Sequence, residues 1–439
     1  MFALTFLVSA AFSSFALPAK RGLCYNQLNE AELSALKEGG VAWGYNWAPS
    51  EETGGIGGED FAFMPMIWGG GEDFEDMFSK AEAYLSSHPE AEFLLGFNEP
   101  MMKNQYGGCD MTPHEAALLW PRLEKLAEKY KVALVSPALT WGFEPLTGDG
   151  KIYVAPEDWM NAWAEEYKAL YGRLPHYDYL ALHSYMDYPS AVMWFCNHYS
   201  AYFNKPVLLT EFCAWDSDQN QTPHKSEQGQ ISSMSQKIEA LDANENVAGY
   251  AWFMSHAEVT KVPYNSVFIQ KGADGKMTRL GKIYSHQSRL DKKKIFTNGD
   301  IIPAFSYVSS SNYNTTVGEK AEDGVRFNTP LGIDLNSDKK SEKSIPLEIG
   351  DFTSRRFASY LVNVTESKTY TLTVRYQSDK EQQLFVTAGG KEVLHGLLKP
   401  VKKWSQASFE ISLEKGEQII QLKSLGNAKS VKLVWFSIK

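Results

Sequence analysis

Two glutamates stand where apolar runs stop. Glu99 follows Phe93-Leu94-Leu95-Gly96-Phe97 in the stretch Gly96-Phe97-Asn98-Glu99-Pro100, and Glu211 follows Val207-Leu208-Leu209-Thr210 ahead of Phe212. A pair of carboxyl groups can cleave an acetal between two sugars. One protonates the departing oxygen while the other, roughly 5 to 5.5 Å away, attacks the anomeric carbon. The competing interpretation makes each a structural carboxylate satisfied by its neighbours. Their shared place at the ends of strand-like runs, one of them preceded by Asn98, favours chemistry.

Other residues at run ends fit the same purpose. Asn98 can hydrogen-bond a sugar hydroxyl such as the 2-OH, or it merely terminates a strand. His183 and Tyr185, in His183-Ser184-Tyr185, can orient the nucleophile or the sugar, or serve the fold alone. Trp252 closes its run, where an indole floor under the cleaved sugar is useful. Trp47, Trp68, Trp141 and Trp215 also follow predicted strands, to line neighbouring subsites or to pack between loops. His-Glu-x-x-His, paired Cys-x-x-Cys, a phosphate loop and Gly-x-Ser-x-Gly are all missing from the sequence, which argues against a zinc hydrolase, a nucleotide enzyme and a serine hydrolase. No metal and no cofactor is expected.

These residues need a scaffold that brings strand ends together. From residue 22 to about 255 the chain alternates short apolar runs with polar or helical stretches, the texture of a parallel sheet. The eight runs are 22–25, 41–47, 61–68, 93–97, 132–136, 179–183, 207–210 and 247–253. Eight is the number that closes a (β/α)8 TIM barrel, whose active site lies at the C-terminal strand ends, with strands four and seven facing one another across the mouth. Helices are predicted between them. Thr112-Pro113-His114-Glu115 has the form of a capping box with Pro at the first helical position, and 226–243 and 28–39 carry helical patterns.

After Leu290 the texture changes. Tyr370, Leu372, Val374 and Tyr376 alternate with polar residues, as on a half-buried antiparallel strand. Residues 383–387, 407–413, 418–422 and 431–436 read likewise, which predicts an all-β sandwich of jelly-roll type. The expected organisation is a signal peptide over 1–19, a barrel over 20–293 and a β-sandwich over 301–439. The last is expected to fold independently and to add affinity for polymer.

Composition narrows the partner. With 43 Lys and Arg against 53 Asp and Glu, the net charge of −10 disfavours nucleic acid, which demands a basic patch. Twelve tryptophans suit pyranose faces. After the apolar start Phe2 to Val8 no span long enough for a membrane follows, so a secreted, extracellular or cell-wall monomer without membrane attachment is expected. Cys24, Cys109, Cys196 and Cys213 leave three full disulfide pairings open.

An ordered set of motifs resembles glycoside hydrolase family 128: Trp43-Gly44-Tyr45-Asn46-Trp47, Met64-Pro65-Met66-Ile67-Trp68, Leu95-Gly96-Phe97-Asn98-Glu99-Pro100, Ser136-Pro137-Ala138, His183-Ser184-Tyr185, Leu209-Thr210-Glu211-Phe212 and Ala251-Trp252-Phe253. The resemblance runs from about Arg21 to about Tyr284. It implies a clan-A barrel and retaining cleavage of β-1,3-glucan, with Glu99 as acid/base and Glu211 as nucleophile. More loosely, Ala358 to Val364, Trp404 and Val431 to Trp435 resemble carbohydrate-binding modules of the family 6 and 35 type. Two rivals stand beside this expectation: a catalytically silent β-glucan-binding protein, which retention of both glutamates disfavours, and a transglycosylase on the same substrate.

Overall fold

The computed structural model describes residues 17, 19–51, 61–215, 226–257, 264–269, 275–288, 290, 293–311, 319–320, 326–327, 331–341, 344–353 and 355–439. Most of the expected signal peptide lies outside them.

The first part alternates strands and helices: β1 (Arg21–Cys24), α1 (Glu30–Gly39), β2 (Trp43–Tyr45), β3 (Ala62–Phe63), α2 (Phe74–Ser87), β4 (Phe93–Leu95), α3 (Pro113–Tyr130), β5 (Ala133–Val135), α4 (Pro156–Tyr171), β6 (Leu180–Ser184), α5 (Pro189–Phe203), β7 (Val207–Phe212), α6 (Glu227–Ala243), β8 (Val247–Phe253) and α7 (Arg279–His286). Thr112 caps α3 with Pro113 in its first turn and Glu115 completing the box, as the sequence predicts. The strands pair in parallel, six of them in the order β3-β2-β1-β8-β7-β6 and two as β4-β5.

Both gaps between these sheets fall at prolines. Pro65 has no N–H to donate, so contact with β4 is carried by Leu95 N–H to the Pro65 carbonyl (2.9 Å) and Ile67 N–H to the Leu95 carbonyl (3.1 Å). Pro137 leaves Ser136 N–H to reach the Tyr179 carbonyl (2.9 Å) and Leu139 N–H to reach that of Ala181 (3.1 Å). Parallel bridges Met66–Leu95 and Val135–Tyr179 mark the two junctions. Inward side chains from seven of the eight strands, among them Cys24, Trp43, Tyr45, Leu95, Val135, Ala181, Leu208 and Ala251, form a buried cluster of their own. Trp43 fills its base because Gly22 and Gly249 lack side chains. A Cβ on Gly22 would lie 2.3 Å from the indole and one on Gly249 3.3 Å from it.

Lys20 and Arg21 fasten the start of β1 to helix ends. Lys20 Nζ donates to the carbonyls of Leu241, Asp242 and Asn244 at the close of α6. The fully buried Arg21 guanidinium donates to the carbonyls of Tyr284, Gln287 and Ser288 and pairs with Asp242 at 3.2 Å. All four cysteines are free thiols, so none of the open disulfide pairings is formed.

The second part is made of strands: β9 (Phe296–Thr297), β10 (Ile301–Pro303), β11 (Ser309–Ser310), β12 (Glu319–Lys320), β13 (Arg326–Phe327), β14 (Ile333–Leu335), β15 (Leu347–Ile349), β16 (Phe357–Val364), β17 (Lys368–Ser378), β18 (Gln382–Ala388), β19 (Lys391–Leu398), β20 (Val401–Leu413), β21 (Gly416–Leu425) and β22 (Val431–Ile438). They build two larger sheets, β14-β15-β22-β17-β20 and β11-β16-β21-β18-β19, antiparallel apart from the β9–β16 pair. Tyr370, Leu372, Val374 and Tyr376 are buried together on one face of β17, as their alternation predicts.

The two parts share buried chemistry. Glu239 on α6 has no exposed surface. It accepts from Gln287 Nε2 (2.8 Å), from Ser310 Oγ (2.7 Å) and from the Tyr307 hydroxyl. Ending the chain at Lys294 removes two of these donors. With about 1.5–3 kcal/mol per hydrogen bond to a charge and about 2–4 °C per kcal/mol, the thermal midpoint should fall by roughly 10 °C. Calorimetry of the truncated chain checks this. An unchanged midpoint would instead support the independent folding that the sequence leads one to expect.

Candidate active site

The C-terminal ends of β2, β4, β6, β7 and β8 deliver their side chains to one cleft of about 1420 Å³. Glu99 is held by His183, whose Nδ1 lies 2.7 Å from Glu99 Oε1 and 3.5 Å from Glu211 Oε2. Glu211 Oε1 accepts from the Tyr45 hydroxyl (3.0 Å) and from Trp47 Nε1 (2.8 Å), and its Oε2 accepts from the Tyr185 hydroxyl. One oxygen of each glutamate and one nitrogen of His183 lie within 4.8 Å of one another.

A bulge aims Glu211. Along β7, Leu208 points inward while Val207 and Leu209 pack outward. Strict alternation would therefore send Glu211 outward. The register against β6 instead passes from Leu182–Leu209 to His183–Glu211, skipping Thr210, and this extra residue turns the carboxylate into the cleft. Two cleft residues occupy the left-handed backbone region that favours glycine: Trp47 at φ 58° and Glu99 at φ 42°. Strain of this kind gathers where a side chain must point to its task.

Burial raises the pKa of Glu211, and the charge of Glu99 adds to this, while His183, Tyr185 and Trp47 pull it back. Three donors aimed at its oxygens fit an anion, since a protonated carboxyl would turn a donor toward other donors. Burial pulls His183 down, but the charges of Glu211 and Glu99 overbalance it and the net shift is upward. Burial drives Tyr45 and Tyr185 well above the ordinary phenol range, so both remain donors. Tyr185→Phe removes one donor from the Glu211 anion. If Glu211 acts as an anion in turnover, as the sequence leads one to expect, the acidic limb of the pH–rate profile should move to higher pH. A limb left in place would show that the Tyr185 hydroxyl does not stabilise the anion.

Of the residues expected from sequence, Trp47, Trp68, Asn98, Glu99, Trp141, His183, Tyr185, Glu211 and Trp215 line this cleft. Asn98 donates to the Gly107 carbonyl (3.0 Å), and its Oδ1 is buried without a partner among the described residues, free to accept from a hydroxyl. Trp252 is not in the cleft. Ala251 points inward, so alternation turns Trp252 outward, where it has no exposed surface, stacks edge-on against Phe212 and donates to the Asn265 carbonyl at 2.7 Å. Phe253 takes the inward place. Trp252→Ala should cost about 3–5 kcal/mol of stability, read from urea unfolding, by emptying a packed site. Parental stability with lowered kcat/KM would return the indole to the sugar site.

Sequence reasoning passed over Tyr45, although it precedes Trp47 by two residues and so shares its face. It also passed over Phe253 and the loop residues Gln105, Tyr106, Phe143, His256 and Ile269 that line the cleft. The Glu99, His183 and Glu211 set contains donor types that a divalent ion accepts. His183 Nδ1 lies 2.7 Å from Glu99 Oε1, and its Nε2 is buried without a partner among the described residues.

A cleft with two carboxyl groups this close, ringed by aromatics at the ends of parallel strands, has the make-up of a glycosidase. The chain belongs to the glycosyl hydrolase catalytic core family, whose model matches residues 22–284, and it is a glycosidase. It is similar to the crystal structure of a GH128 (subgroup II) endo-β-1,3-glucanase from Pseudomonas viridiflava, at 34% identity over 61% of this chain and 96% of that one, with a TM-score of 0.51. A subgroup II endo-β-1,3-glucanase from Sorangium cellulosum matches at 27% identity over 61% and 98% of the two chains, with a TM-score of 0.48. A subgroup V exo-β-1,3-glucanase from Cryptococcus neoformans matches at 23% identity over 61% and 98%, with a TM-score of 0.46. No curated protein matches the chain significantly.

Proposed function

We propose that this glycosidase hydrolyses β-1,3-linked glucan with retention, by double displacement, with Glu211 as nucleophile and Glu99 as acid/base. The observation that carries this reading is the Glu99, His183 and Glu211 cluster, whose ligating atoms lie within 4.8 Å of one another. An inverting enzyme needs room for water between carboxyls roughly 6.5–9.5 Å apart, whereas a retaining one works at about 5 Å. The Pseudomonas viridiflava glucanase, similar at 34% identity across 96% of its length, supports the choice of polymer. The paired strands and the two proline junctions support a closed (β/α)8 barrel, and the inward cluster fits its filled interior.

In the first step Glu211 attacks the anomeric carbon, the glycosidic bond breaks, and Glu99 gives its proton to the departing oxygen. His183 holds Glu99 in place, and Tyr45, Trp47 and Tyr185 hold the nucleophile. In the second step Glu99 takes a proton from water, which attacks the same carbon and frees Glu211. The reaction uses neither metal nor cofactor. Secretion behind a signal peptide, and an antiparallel β-domain of residues 301–439 that adds affinity for polymer, complete the proposal. The test is product analysis on linear β-1,3-glucan, mixed-linkage glucan and cellulose, with the anomeric configuration of the first product followed by NMR. Cleavage confined to β-1,4 linkages, or a first product of inverted configuration, would overturn it.

A further inference from the structure

Large apolar side chains with substantial exposure border the cleft: Ile269 after β8, and a group of three aromatic rings after β4 and β5. Tyr106 is 44% exposed, Trp141 38% and Phe143 55%. Apolar surface gathered at a cleft marks a place that something covers. Tyr106 and Phe143 meet edge to face with ring centroids 4.9 Å apart, and the Tyr106 hydroxyl is fixed on Glu144 at 2.7 Å.

The loops that carry these rings are built rigidly onto the Glu99 strand. Asn98 Nδ2 holds the Gly107 carbonyl, Cys109 N–H bonds the Asn98 carbonyl (2.9 Å) and Met102 N–H bonds that of Glu99 (2.9 Å). The second loop is pinned where Gly142 N–H meets the Val154 carbonyl (3.0 Å), with Met101 so near that a Cβ on Gly142 would lie 3.2 Å from its carbonyl oxygen. The rings therefore stand on segments following β4 and β5, the first of them fastened to the chain at Asn98 and Glu99.

We infer that Tyr106, Trp141 and Phe143 form an acceptor platform that binds a glucan oligosaccharide and gives the enzyme a transglycosylase activity. The inference rests on the roles proposed above for Glu99 and Glu211. The group that protonates the departing oxygen has the leaving sugar beside it, so the platform contacts that sugar first. Once the leaving sugar departs, the same rings can hold another. Its hydroxyl oxygen then attacks the anomeric carbon of the glycosyl-enzyme and the hydroxyl proton passes to Glu99. The bond between that carbon and Glu211 breaks with its electron pair returning to the carboxylate, and a new glycosidic bond replaces the hydrolysis product. Water is always in supply, so a sugar competes only if it is held in position, and aromatic faces packed on pyranose rings do that.

The test uses the full chain, laminarihexaose as donor and laminaribiose labelled at its reducing end as added acceptor, and follows the ratio of labelled products longer than laminaribiose to products of hydrolysis. Both come from one intermediate, so the ratio reports the acceptor step whatever a substitution does to the first half-reaction. In the parent the ratio should rise and saturate with millimolar laminaribiose. In Tyr106→Ala/Phe143→Ala it should fall tenfold or more, while Phe143→Trp keeps it. The inference is overturned if the parent makes no labelled product longer than laminaribiose, or if the double variant leaves the ratio unchanged. A parent that forms a covalent intermediate on another glycan but does not cleave β-1,3-glucan would overturn the substrate reading, and this inference with it.

Discussion

Glu211→Gln should lower hydrolysis of β-1,3-glucan by roughly 10⁵-fold, the scale of loss when a covalent nucleophile is removed, and should raise the thermal midpoint at neutral pH. Both expectations come from the same carboxylate. Its burial is what raises its pKa. A carboxyl that binds its proton more tightly in the folded chain than in the unfolded one costs stability once ionised. That cost is present above the folded-state pKa and disappears as pH falls through it toward the ordinary value. The gain from glutamine should therefore shrink as the solution is acidified. Glu211→Gly opens a space in which azide can attack from the vacated face to give an α-configured glycosyl azide. Near-parental hydrolysis by Glu211→Gln would remove it from the mechanism.

Glu99→Ala should lower turnover of unactivated glucan by roughly 10²- to 10⁴-fold, the range for general acid–base catalysis, and spare the first step on substrates whose leaving group needs no proton. The covalent intermediate then accumulates because nothing activates water. Azide needs no such help, so it should restore turnover and give a β-configured azide. The variant also frees His183 from its 2.7 Å hydrogen bond, leaving Glu211, 3.5 Å away, as the carboxylate it faces. Burst kinetics with an aryl glucoside, followed by NMR of the azide product, decide the matter. An α-configured product from this variant would exchange the two roles.

Much of the scaffold was legible because it follows period and capping. All eight expected runs contain strands, and Thr112-Pro113-His114-Glu115 starts a helix where its hydrogen-bonding groups require one. The glutamates were legible because a charged residue at the end of an apolar run needs an explanation. The rest depended on phase and on loops. Phase misplaced Trp252, since Ala251 and Phe253 share the inward face, and phase alone would have misplaced Glu211, whose direction depends on the bulge at Thr210. Tyr106 ends a single 3-10 turn (Asn104–Tyr106) and Phe143 lies in a loop, neither of which periodicity describes. The buried meeting of Glu239 with Tyr307 and Ser310 joins residues about seventy positions apart, beyond the reach of local pattern.

Trp47 and Glu99, held at φ 58° and 42°, also suggest how this scaffold could lose its activity over evolutionary time. Each holds a conformation that costs on the order of 1–3 kcal/mol and that glycine or asparagine would relieve. Once selection for turnover lapses, substitution at the position of Glu99 is favoured because it removes a backbone penalty. A lineage that kept Trp68, Trp141 and Trp215 but carried Gly or Asn there would hold glucan without cutting it. Genome surveys could therefore separate binding descendants from enzymes at that one codon.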